Sequence, residues 1–387
     1  MGKKILIVII SILITAFSFE LVLHITGFPE REHLFKIGWN SKDVHPELEF
    51  VNQLGFRGQK FNSRQPGERV ILLIGDSQVE AMGLPDRYMM EALLEKKLNA
   101  LQDTVKYRCY SIGSGGYGQD QELLSLKRYL DQYDADEVIL WFTPENDIWN
   151  NMFPTHWPWN GNMKPTFWLK DSVLQAPESG DFAKVRFTTR SRIISIAEIL
   201  FHDYKTRNMD DHWSEKLPDI QPVGTTAPQD ATLRIHTIGP DEHMDKGKSH
   251  YLVYLDTTTA RLQYGIELTR KLLEAIADLC KEKDIRFSMF VAEGQFVADL
   301  DKKSYAYAPK DHQYYLLNKS VYLDRVCKIL APYDSRYFRL QTDWKCISTE
   351  DRNHLNFVAQ QELAESLAGW ILLKKESRPL RPACYDL

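Results

Sequence analysis

Gly75-Asp76-Ser77 closes the apolar run Val70-Ile71-Leu72-Leu73-Ile74, and some 270 residues later the chain carries Asp351-Arg352-Asn353-His354. A seryl hydroxyl is a weak nucleophile until a base takes its proton, and that base needs a carboxylate to hold its ring in the productive tautomer. A serine at the carboxyl end of a strand and a late Asp-x-x-His could supply all three groups from the rim of a parallel sheet. The chemistry they fit is acyl transfer through Ser77, with His354 as base and Asp351 as its orienter.

Acyl transfer also needs donors aimed at the oxygen that becomes negative. The Ser77 N–H is one candidate. The glycine-rich stretch Gly113-Ser114-Gly115-Gly116-Tyr117-Gly118 lets backbone approach closely, and Pro144-Glu145-Asn146-Asp147 offers a side-chain amide. Each segment alone could be an ordinary turn or cap. Together they fall in order at three successive strand ends.

The elements that must position them follow a βα rhythm. The buried strand over 70–74 precedes an amphipathic helix over 86–101 that places Met89, Met90, Leu93, Leu94 and Leu98 on one face. A second strand over 106–111, a helix over 119–133 and a third strand over 137–142 follow. The rhythm resumes with a helix over 258–283, a strand over 286–291, a helix over 314–330 and a closing helix over 356–373, which places His354 on the loop just before it. Strands separated by helices of this length predict a mainly parallel sheet covered on both faces, a three-layer α/β/α sandwich. Its functional loops belong at the carboxyl ends of the strands.

The four blocks resemble those of the SGNH or GDSL-type hydrolases, which share this order: Gly-Asp-Ser, a glycine loop, a Gly-x-Asn-Asp-like segment and a late Asp-x-x-His. The resemblance implies the flavodoxin-like fold of that family. It also implies Ser77 as nucleophile, Ser77, Gly116 and Asn146 as oxyanion-hole donors, and Asp351 with His354 as the rest of a triad. Two positions depart from the pattern: Ser111 replaces the asparagine that opens the glycine block, and Pro144 replaces the glycine two before Asn146. The segment Asn52-Gln53-Leu54-Gly55-Phe56-Arg57-Gly58 is similar to a lead-in of membrane-anchored bacterial members. The implied activity is an exported serine esterase acting on O-acyl, foremost O-acetyl, esters of a carbohydrate or cell-envelope polymer. An O-acetyltransferase with the same triad, and a polysaccharide-binding or assembly protein that keeps only the fold, are the alternatives; lipid esters are a further substrate class.

At 387 residues and 43% hydrophobic content the chain can bury a large core. A net charge of -5 and a pI near 6.2 exclude the polybasic footprint of a nucleic-acid binder. Lys3-Lys4 precede nineteen largely apolar residues, Ile5 to Leu23, whose helix would reach ~28 Å, close to the ~30 Å hydrocarbon core. Residues 1–27 therefore read as a membrane anchor or uncleaved signal, oriented with the rest of the chain outside the cytoplasm; a cleaved signal ending at Ala16-Phe17-Ser18 is the competing reading. Residues 28–69 read as an irregular lead-in, 70–375 as the hydrolase-type domain with an aromatic-rich insertion at about 148–255, and 376–387 as a tail.

Within the insertion, Trp149, Trp157, Trp159 and Trp168 follow closely on Asn146, suiting either a hydrophobic lid or the faces of sugar rings, and a hairpin is expected around 167–174. Five cysteines are too few for a disulfide scaffold; a bridge such as Cys327 to Cys346 fits an oxidising compartment, and Cys109 reads as a buried small hydrophobe. His202, His212, His236, His243 and His250 are dispersed without ligand spacing, so no metal and no cofactor is expected.

Overall fold

The structure is a computed structural model. It describes residues 2–28, 41–44, 48–102, 104–153, 166–177, 191–197, 200, 222–226, 234–239, 242, 244, 247, 249–301, 303–310, 312–341 and 354–373. Asp351, Trp157, Trp159, His202, His212, His243, Cys346, Cys384 and the 376–387 tail lie outside these residues.

Five strands form one parallel sheet: β1 (Glu68–Gly75), β2 (Lys106–Gly113), β3 (Glu137–Trp141), β7 (Arg286–Ala292) and β10 (Ser335–Phe338). Their order is β10-β7-β3-β1-β2 and every pairing is parallel. Strand order therefore reverses between β1 and β3, the switch point at which flavodoxin-like sheets open a crevice beyond their carboxyl ends. β1 is apolar from Val70 to Ile74 because both of its faces are covered. Val70, Leu72 and Ile74 pack with α4 (Gln119–Tyr133) and α6 (Ala260–Glu282) on one side. Ile71 and Leu73 pack with α3 (Met90–Leu101) and α9 (Phe357–Leu373) on the other. The expected three-layer α/β/α architecture is the observed one.

Three expectations shift. The 314–330 helix is a strand followed by a helix, β9 (Gln313–Leu317) and α8 (Lys319–Leu330). Asn318 sets the break by accepting the Ser320 and Val321 N–H groups with its side chain at 3.0 and 3.4 Å. The aromatic run before it pairs antiparallel with β8 (Ser304–Ala308), which in turn pairs with β6 (Arg234–Thr237), so the insertion contributes a strand to a second, three-stranded sheet. The helix placed over 86–101 begins with a separate 3-10 turn, Asp86–Tyr88, because Met89 is extended. The lead-in is ordered at Asn52–Gly58: Asn52 accepts the Leu54 and Phe56 N–H groups at 2.9 and 3.2 Å and donates to the Tyr133 hydroxyl at 3.0 Å, and Phe56 is fully buried.

The hairpin forms as β4 (Trp168–Lys170) and β5 (Val173–Gln175). The N-terminal helix α1 (Gly2–Thr26) is long and apolar enough to cross a membrane, a property that signal sequences share. Its Glu20 accepts the Ile193 N–H at 2.9 Å and the Ser191 hydroxyl at 3.0 Å, which ties α1 to the start of a helical stretch over 192–197. Cys109 and Cys280 are free and buried, and Cys327 is disulfide-bonded.

Candidate active site

β1 ends at a glycine because nothing larger fits. A Cβ on Gly75 would stand 2.7 Å from Val79 Cγ2 and 3.1 Å from the Trp141 carbonyl oxygen. The chain then turns directly into a single helical turn, α2 (Ser77–Glu80), capped by Asp76, whose carboxylate accepts the Gln78 N–H at 2.9 Å. Ser77 is the first residue of that turn, so its own N–H has no intrahelical acceptor. The turn stops at Ala81, which takes a left-handed conformation with φ 50.

The carbonyls exposed by this abrupt stop are met by Arg57. Its buried guanidinium donates to Glu80 O at 3.0 Å, to Ala81 O and Leu84 O, and to the Asp86 carboxylate at 2.8 Å. The lead-in motif is thus a clamp on the turn that carries Ser77. From the same turn, Glu80 reaches the glycine loop and accepts the Gly115 N–H at 2.7 Å.

On the far side of the sheet's rim, Leu355 is buried among the side chains of the α3/α9 face, and Asn356 caps α9 by accepting the Ala359 N–H at 2.9 Å. His354 is thereby held at the rim, its Nε2 2.7 Å from Ser77 Oγ. Gln78 bridges the two loops, its Oε1 accepting the Leu355 N–H at 3.3 Å.

After β3, Pro144 is the first residue of α5 (Pro144–Met152), a position where its fixed φ suits the helix and its missing N–H costs nothing. Asp147 accepts the Thr143 N–H at 2.8 Å and secures the start. Asn146 therefore stands in the first helical turn rather than on a free loop. Its amide nitrogen donates to Asp76 at 2.6 Å, and an amide nitrogen carries a second hydrogen.

Ser77, His354, Asn146 and Asp76 line one cavity of about 160 Å³ at the β1/β3 switch point, together with Gln78, Thr143, Glu145, Glu242, His250, Tyr251, Tyr254 and Phe296. Gly116 is buried in its loop at φ 72, a backbone state that suits glycine, and is not among the lining residues. Ser111, the departure at the head of the glycine block, is a buried β2 residue 2.6 Å from Glu91 and 3.2 Å from the Arg57 carbonyl oxygen, so it braces the clamp. Trp149 is buried in α5 and faces His250, while Trp168 sits on the β4–β5 hairpin.

Asp76, Glu145 and Glu242 line the cavity, and Asp147 lies buried in α5 beside it. Burial pushes the Asp76 carboxyl up, against the opposing pull of the Gln78 N–H, the Asn146 amide and the His354 ring. Burial and then the Asp76 charge raise Glu145, which receives the Tyr322 hydroxyl at 3.3 Å. Asp147 is driven well above the usual range by burial, with Glu122 and Asp76 adding to it. Glu242 behaves oppositely: burial opposes its ionisation, but hydrogen bonds from His250, Ser249 and Gly239 outweigh that and hold its carboxyl low.

Sequence reasoning missed Gln78, Glu80, Glu145, Glu242 and His250. Gln78 and Glu80 sit within the serine turn and could have been noticed as the side chains nearest it. Glu242 and His250 carry no spacing signal, since the fold of the insertion brings them to the rim.

Protein-family models and curated proteins yielded no match to this chain. Among solved structures, similarity was found to the psychrotrophic esterase EstA from Pseudoalteromonas sp., at 10% identity over 79% of this chain and 97% of that one, with a TM-score of 0.34. It was also found to TesA, at 11% identity over 79% and 99% with a TM-score of 0.36, and to the acetyl xylan esterase AlAXEase, at 13% identity over 79% and 99% with a TM-score of 0.27.

Proposed function

We propose that the protein is a serine esterase that cleaves small O-acyl esters, foremost O-acetyl esters, through an acyl-Ser77 intermediate. The observation that carries the proposal is the 2.7 Å contact between Ser77 Oγ and His354 Nε2 inside the switch-point cavity. In this reading Ser77 Oγ attacks the ester carbonyl carbon as His354 Nε2 takes its proton. The tetrahedral oxyanion is met by the Ser77 N–H and the Asn146 amide, and Gly116 is assigned as the third donor. His354 then returns the proton to the departing alkoxide oxygen, the C–O bond breaks, and the alcohol leaves. Water repeats the sequence on the acyl-enzyme, and Asp351 is the carboxylate assigned to orient His354.

The size of the cavity favours a small acyl group. A dry cavity of roughly 150 Å³ holds a benzene-sized molecule, and the 160 Å³ here gives an acetyl group ample room beside Ser77. An extracytoplasmic placement is supported by α1 and by the disulfide at Cys327, since such bonds persist in oxidising compartments. The substrate then belongs among acylated carbohydrates or envelope polymers within reach of the membrane.

The test is Ser77→Ala in the full chain, held in detergent micelles and assayed on p-nitrophenyl acetate. Turnover is expected to fall by about 10³-fold or more with the melting temperature unchanged. Wild-type turnover in a folded Ser77→Ala protein rejects the proposal.

A further inference from the structure

Across the cavity from Ser77 and His354 stands a second pair, Glu242 and His250, contributed by the stretch between α5 and α6. The Glu242 carboxylate is held from several sides. Oε1 lies 3.4 Å from His250 Nδ1 and accepts the Gly239 N–H at 3.4 Å, while Oε2 accepts the His250 N–H at 3.1 Å and the Ser249 hydroxyl. The His250 ring rests against the buried Trp149 indole, with centroids 4.9 Å apart and planes at 34°. The imidazole is therefore fixed in plane and rotation, as a group that must meet a ligand in one orientation is.

The turn that carries it, His250–Tyr254, is clamped in the same manner as the Ser77 turn. Buried Arg325 donates to the carbonyls of Val253 and Leu255 at 2.7 and 2.8 Å and to the Thr258 hydroxyl at 2.7 Å. Two buried arginines thus secure two turns that face one cavity, one turn bearing the hydroxyl and the other an oriented imidazole–carboxylate pair.

The walls restrict what this pair can bind. Glu242, whose carboxyl is held low by its hydrogen bonds, faces the cavity, so a phosphate or carboxylate ligand meets like charge there. An alkyl chain laid against the part-exposed His250 ring would strip water from it without replacing the water's hydrogen bonds. A hydroxyl suits the imidazole, since it can both donate and accept, while the Glu242 oxygens, already contacted by four polar groups, hold the ring's orientation. Tyr251 and Phe296 add aromatic surface beside them, suited to the C–H face of a ring.

We propose that His250, held in orientation by Glu242, forms a hydroxyl-recognition subsite for the alcohol half of the ester, and that this half is a neutral polyhydroxylated ring of the sugar class. The assignment rests on the esterase reading and adds to it the residues that select the alcohol. Ser77 and His354 handle the acyl carbon, and the Glu242–His250 pair sets which alkoxide oxygen is presented to them.

The experiment compares two alkyl acetates of similar intrinsic reactivity, 6-O-acetylglucose and ethyl acetate, on the full-length wild type, Glu242→Gln and His250→Gln. The wild type is expected to prefer the sugar ester by at least about 10-fold in kcat/KM. Each variant is expected to lower that preference by about 10- to 100-fold, chiefly through KM for the sugar ester, since hydrogen bonds to charged groups are the ones removed. Glu242→Gln keeps the shape of the side chain, so it carries the test if His250→Gln melts at lower temperature. A wild type without preference, a preference unchanged in Glu242→Gln, or an equal loss on both esters overturns the subsite. Ethyl acetate turnover that survives Ser77→Ala overturns instead the esterase reading beneath it.

Discussion

Arg57→Ala removes the clamp on the Ser77 turn, and its cost can be worked from the contacts. The guanidinium serves four acceptors: the carbonyls of Glu80, Ala81 and Leu84 and the Asp86 carboxylate. Asp86 is 47% exposed, so its ion pair is screened and contributes little. The Ala81 carbonyl also accepts the Leu84 N–H at 3.0 Å, so it loses only part of its pairing. Leaving a buried acceptor unpaired costs about 1–3 kcal/mol, and water entering the vacated space recovers part of that for the outermost carbonyl. The expected loss is about 4 kcal/mol. At ~2.1 cal/mol/K per residue the unfolding entropy of 387 residues is about 0.8 kcal/mol/K, so melting should fall by roughly 5 °C. The assay is thermal unfolding of the full chain in micelles, run beside p-nitrophenyl acetate turnover. Turnover should also drop, by about 10- to 100-fold, because Ser77 loses its fixed position. Arg57→Ala melting within about 1 °C of wild type, with unchanged turnover, would refute the clamp.

Gln78→Leu keeps volume but deletes the acceptor of the buried Leu355 N–H, so kcat should fall about 10-fold with KM nearly constant; a KM effect alone would show that Gln78 binds substrate rather than holding the His354 loop. Glu91 is buried behind the clamp, and burial raises its carboxyl from 4.5 to about 7. The native state therefore binds a proton that the unfolded chain has released, so this group's contribution to stability is full below pH ~4.5 and is lost as pH rises to ~7. Glu91→Gln should flatten the melting profile over that interval and raise stability at pH 8 by at most roughly 3 kcal/mol; an unaltered slope would contradict the assignment.

The sheet was legible because its strands are written in unbroken apolar runs and its helices in clear 3.6-residue periods. Val70–Ile74, Gln119–Tyr133 and Glu137–Trp141 need no tertiary information to be read. Tyr314–Leu317 was mistaken for helix because a short aromatic run fits either period, and only its pairing with β8 and the Asn318 cap decide between them. Among the candidate site residues, the placement of Ser77, Asn146 and His354 was legible because each stands immediately beyond or before a core element that can be recognised by pattern. Arg57 was noticed as part of a motif, but its task depends on where the Ser77 turn ends. Glu242 and His250 were not legible, since seven residues of polar, irregular sequence separate them and their meeting at the rim depends on β6, Ser249 and Arg325.

The central claim is that His354 activates Ser77. It is tested most directly by incubating the full-length protein with a fluorophosphonate and locating the adduct by mass spectrometry. The account predicts a single adduct on the peptide containing Ser77, formed at least about 10²-fold more slowly in His354→Ala. An unlabelled Ser77 in the folded wild type, or equal labelling rates with and without the imidazole, would contradict it.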